Sequence, residues 1–66
     1  MLWQDKLKNL WKEGEFERAY SLTKDEKLRD LIVLINKSGG IEHLPLGVVY
    51  SIVLENSYLF NLLNQD

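Results

Sequence analysis

The side chains in this chain that could do chemistry are few, and their spacing decides against most of it. His43 is the only histidine and stands beside Glu42. A catalytic or structural metal centre needs three or four donors converging on one point, and a single His–Glu neighbour pair does not supply them. There is no cysteine, so a thiolate zinc site and a disulfide staple are both excluded. Ser51 and Ser57 have no base near them in sequence, and neither lies in a GxSxG nucleophile elbow. Gly39-Gly40 is followed by no lysine–serine pair and lies in no strand–loop–helix fingerprint, so it marks a helix stop and not a phosphate cradle. The expectation is a non-enzymatic protein with no cofactor, no metal and no small-molecule substrate.

Nucleic acid is the next possibility, because lysines cluster near the start at Lys6, Lys8 and Lys12. A helix-turn-helix needs a three-to-four-residue turn and a second helix that brings polar or basic groups to the groove. Here the connector from Ser38 to Leu44 is longer, and no Lys or Arg follows Lys37. The basic residues are interleaved with acids, the pattern of a solvated face, and the net charge is −2. DNA or RNA binding through the Lys6/Lys8/Lys12 face is therefore the alternative reading, and nucleic acid is not the expected partner.

Charge and hydropathy divide the chain more sharply than any motif. All eight Lys and Arg lie within residues 1–37, whereas the remaining residues carry only Glu42, Glu55 and Asp66 as charges. From Leu44 to Leu63, thirteen of twenty residues are apolar. A chain of 66 residues forms a single domain, 1–66, and buries only about 60% of what its unfolded state exposes. Surplus apolar surface on so small a body points to a partner.

The elements that must position these residues read as all-α. Trp3, Leu7, Leu10 and Trp11 recur at i, i+4, i+7 and i+8, one face of a helix over 2–12. Gly14 closes it, and a short helix over 15–22 follows with Phe16, Ala19 and Tyr20 inward. The junction Leu10-Trp11-Lys12-Glu13-Gly14-Glu15-Phe16-Glu17-Arg18-Ala19 resembles the bend between the two helices of a tetratricopeptide repeat, where glycine, an aromatic and alanine permit close packing. That resemblance extends over about fifteen residues, with no second copy at the repeat period, and implies a helical hairpin. Thr23-Lys24-Asp25-Glu26 fits a capping box for a helix over 24–37, with Leu28, Leu31, Ile32 and Ile35 as its buried stripe. Ser38-Gly39-Gly40 stops that helix, and Pro45 stands at the expected first position of the last one.

Residues 45–63 are ambiguous. Val48, Val49, Ile52 and Val53 favour a strand, but Leu46, Val49, Val53 and Phe60 fall at helical spacing. On a helical wheel the polar side moves from Gly47, Ser51 and Glu55 to Ser57, Asn61 and Asn64. The segment either breaks at Glu55-Asn56-Ser57, with Asn56 ending one piece and Ser57 capping the next, or stays continuous against different neighbours. Glu55, Asn56 and Ser57 would lie at mid-bilayer in a membrane span, which makes a membrane role unfavourable.

The sequence thus predicts a compact bundle of three to four helices with a helical hairpin at the N-terminus. The expected function is a small protein-binding module: a regulator or inhibitor docking on a larger protein, or a homodimer through an apolar C-terminal helix. A structural assembly subunit is a further alternative. Trp3, Tyr58, Leu59, Leu62 and Leu63 are the predicted partner-binding residues, with 46–55 completing the core. Met1-Leu2-Trp3-Gln4-Asp5-Lys6 lacks the apolar core of a signal peptide, so a cytoplasmic location is expected. One alanine, six lysines and five asparagines fit an AT-rich genome, of the kind that encodes compact phage or bacterial regulators.

Overall fold

A computed structural model of the chain describes residues 2–65. The first element, α1 (Trp3–Lys12), buries Leu7 and Leu10 and carries Asp5 in its first turn and Lys12 in its last, each sign matched to the helix dipole. Gly14 adopts the left-handed conformation (φ 75°), which a side chain would strain, and α2 (Glu15–Thr23) begins at the next residue. Phe16 and Ala19 enter the core, and Trp11 meets the Phe16 ring edge-on at 5.7 Å.

Helix α3 (Glu26–Lys37) starts differently from the sequence expectation. Asp25, not Thr23, is its cap: the carboxylate accepts from the amides of Lys27 and Leu28 at 3.0 and 3.3 Å. Thr23 is the last residue of α2, and its hydroxyl donates back to the Ala19 carbonyl at 3.0 Å. The capping box is displaced because Lys24 takes a left-handed conformation (φ 53°) and ends α2 one residue before Asp25. Leu28, Leu31 and Ile35 are buried, with Ile32 half-buried beside them. At the far end Gly40 N–H donates to Ile35 O and Gly39 N–H to Asn36 O, the paired bonds of a Schellman stop.

A single 3-10 turn, Ile41–His43, buries Ile41, and Pro45 then precedes α4 (Leu46–Leu54). The expected three to four helices are in fact five, because the apolar C-terminal segment breaks. Helices α4 and α5 (Ser57–Leu63) are bent from each other by 116°. Asn56 makes the break: its side chain accepts from Leu59 N–H at 3.0 Å, so Asn56 and not Ser57 caps α5. The physical reason is the migrating polar side. The turn lets each piece direct its own apolar side inward: Val49 and Val53 on one and Leu59 and Leu63 on the other, and all four are buried.

The all-α class holds, with no strand among the described residues. Helix α5 packs against α1, α2 and α4, and α3 packs against α2 and α4. One core joins them, with Phe16 its largest fully buried side chain. The Cα radius of gyration is 10.6 Å, close to the roughly 10.8 Å of a compact chain this long. Among the described residues no single helix is long and apolar enough to cross a membrane.

Candidate protein-binding surface

The five residues that the sequence nominates for partner contact are scattered. Leu59 and Leu63 lie inside the chain's own core, so in this fold they present no surface. Tyr58 and Leu62 are half-buried against the same core. The Tyr58 hydroxyl donates to the Glu15 carboxylate at 3.4 Å, and Arg18 pairs with that carboxylate from the next turn of α2. The Arg18 guanidinium is held above its ordinary pKa, first by the Tyr58 hydroxyl and then by Glu15. Leu62 borders a shallow cleft of about 340 Å³ with Lys6, Leu10, Glu13 and Glu15. Trp3 is 37% exposed and leans on Tyr50, the ring centroids 4.8 Å apart and tilted by 42°.

Among the exposed apolar side chains of the described residues, Leu2 and Leu22 are the most open, at 69% and 64%. Val33 and Leu34 on α3 are 46% and 47% exposed, and Val48 on α4 is 54% exposed. Lys27 Nζ donates to Glu55 at 3.0 Å and so joins the first turn of α3 to the end of α4. The connector from Ser38 to Pro45 joins their other ends, so the two helices run side by side in opposite directions. Leu34 is two turns on from Lys27, and Val48 is two turns back from Glu55. Seven residues return to nearly the same helical face, so the helix sides joined by the ion pair carry Leu34 and Val48 further along, and Val33 lies about 100° round α3 from Leu34.

A sequence signal for the exposure on α3 exists. Leu31-Ile32-Val33-Leu34-Ile35 is five consecutive apolar residues in a helix. Successive residues are 100° apart, so no helix can turn all five toward one core. With Leu31 and Ile35 inward, Val33 must face out, and Leu34 and Ile32 lie at the two edges of the buried side.

The other chemistry-bearing residues sit in ordinary places. Lys6 Nζ donates to the carbonyls of Leu63 and Gln65 at 3.1 and 3.0 Å, capping the end of α5. Lys8 and Lys12 lie more than 100° round α1 from Lys6, so the three lysines do not form one basic face. Ser51 Oγ donates to Gly47 O at 3.0 Å. His43 is exposed on the 3-10 turn beside Gly39 and Gly40. Among the described residues, no group of three His, Asp or Glu side chains could hold a metal ion. The sequence matches no protein-family model, and no curated protein or solved structure is significantly similar to it.

Proposed function

We propose that the chain is a non-enzymatic protein-binding module, acting in the cytoplasm as a small regulator, and that its working surface is formed by Val33, Leu34 and Val48. The observation that carries this reading is their exposure. Val33, Leu34 and Val48 are branched apolar side chains, each about half exposed, on two helices that pack side by side in a body with only 4351 Å² of surface. Exposed apolar groups gathered on so small a surface are a mark of association. The C-terminal segment enters this reading through Val48 of α4, since α5 buries Leu59 and Leu63.

The test is site-specific photo-crosslinking in cells, with the reactive group at Leu34 and, as a control, at Glu17 on the solvated side of α2. The reading expects a discrete protein adduct from Leu34 and none from Glu17. No adduct at Leu34, or equal adducts at both positions, would overturn it.

A further inference from the structure

The outer face of α3 carries a charge pattern that specifies its own partner. Asp30, Val33, Leu34 and Lys37 fall within an arc of about 100° at 3.6 residues per turn, on the side opposite Leu28, Leu31 and Ile35. Along the helix axis the order of these four is acid, two apolar residues, base. Asp30 is 77% exposed, and the cation nearest it is its chain neighbour Arg29 at 3.9 Å, near the outer limit of an ion pair. Lys37, in the last turn of α3, is exposed. The two flanking charges are seven residues apart, about 10 Å along the axis, which is too far for them to neutralise each other across the apolar pair.

We infer that this face binds a second copy of the same chain, α3 against α3 in opposite directions, about a two-fold axis that passes between Val33 and Leu34. This rests on the protein-binding reading above and names the partner of that surface. A two-fold interface must be self-complementary: where residue i meets j, residue j meets i. Antiparallel α3 helices satisfy this in one register. Val33 then faces Leu34 of the second copy, Leu34 faces its Val33, and Asp30 meets Lys37 at both ends. Apolar residues meet at the centre, and an opposite-charge pair closes each rim.

A parallel pairing would set Asp30 beside Asp30 and Lys37 beside Lys37, and like charges opposed at a rim discriminate against that arrangement. Val48, 54% exposed on the helix packed beside α3, is repeated on the far side of the axis. A net charge of −2 leaves little overall repulsion between two copies.

The test is sedimentation equilibrium of the full chain across a range of concentrations, with charge swaps. The unaltered chain is expected to approach twice its mass of 7.8 kDa as concentration rises. Asp30→Lys alone and Lys37→Asp alone each set like charges at both rims and raise the dissociation constant about tenfold or more. The double variant Asp30→Lys/Lys37→Asp restores the pairs with reversed polarity and returns association toward the original value. Circular dichroism of each variant confirms that it folds. A monomer at every concentration overturns the inference, as does a dimer indifferent to the single swaps or a double variant no better than either single one. A monomer that still yields a Leu34 adduct to another protein would end the self-association and leave the protein-binding reading standing.

Discussion

Lys6 Nζ lies 3.1 Å from the carbonyl oxygen of Leu63, so the second turn of the first helix is tied to the last turn of the fifth, 57 residues away. The same ammonium reaches Gln65 O at 3.0 Å. A cation at a helix C-terminus satisfies carbonyls that have no intrahelical partner and meets the negative end of the dipole. Helix α5 has only seven residues, too few to be stable alone, so it depends on such attachments and on Leu59 and Leu63 in the core. Lys6→Met, which keeps the aliphatic stem and removes the charge, should cost about 1–2 kcal/mol in urea unfolding. Amide exchange should accelerate in α5 before it does in α3.

Asn56 attaches the other end of α5. It is 3% exposed, accepts from Leu59 N–H and donates to Thr23 Oγ1 at 3.4 Å. Asn56→Ala loses the cap and leaves Leu59 N–H short of a partner, so a loss of about 1–2 kcal/mol is expected. Asn56→Ser keeps a capping oxygen and should recover part of it. Chemical denaturation of the three proteins side by side gives the comparison.

The start of α3 permits a direct contrast between two residues of the same capping class. Asp25 holds two amides of the first turn, whereas Thr23 bonds backwards to Ala19. Asp25→Ala should therefore cost about 1 kcal/mol, and Thr23→Val measurably less. Equal losses, or a larger one at Thr23, would restore the capping box that the sequence predicts.

The Lys27–Glu55 pair sets a pH dependence with a definite sign. Lys27 is held above its ordinary pKa by the hydrogen bond it donates to Glu55 and by that carboxylate's charge. A raised folded-state value means that the pair's stabilisation is fully present below the ordinary lysine value of about 10.4 and is lost as pH rises through the higher value. The unaltered chain should be slightly more stable than Glu55→Gln between neutral pH and about pH 10, and the two should converge at more alkaline pH. Both side chains are more than half exposed, so salt should diminish the difference.

How far the sequence reveals this molecule depends on whether a residue's neighbours are local. The Leu7/Leu10 face, the Gly14 bend and the Leu28–Leu31–Ile35 stripe follow from periodicity and one glycine, because each is settled within a turn or two. The start of α3 was not legible: Thr23 and Asp25 are equally good caps, and what separates them is a left-handed Lys24, a residue type with no preference for that conformation. Helix number turned on Asn56, whose effect depends on Thr23 and on two core faces brought together only by folding. For the interaction surface, C-terminal hydrophobicity drew attention to Leu59 and Leu63, which the 116° turn carries inward. The exposure of Val33 is legible only when the helix angle is applied to all five members of its run, and that of Leu34, at the edge of the buried side, depends on how α3 packs.

The central claim, that the outer face of α3 is an interface between two copies, can be read as a distance. The chain has no cysteine, so Leu34→Cys provides a single site for a spin label, and Glu17→Cys provides a control on α2. A label at Leu34 stands next to the proposed axis, and packed helices lie about 8–10 Å apart. Dipolar spectroscopy on samples labelled in part, to keep the axis from being blocked, should show a short interspin distance at Leu34→Cys that sharpens in population as concentration rises. It should show a much longer one at Glu17→Cys. An uncoupled spectrum from Leu34→Cys at every concentration, or a shorter distance from Glu17→Cys than from Leu34→Cys, would contradict the account.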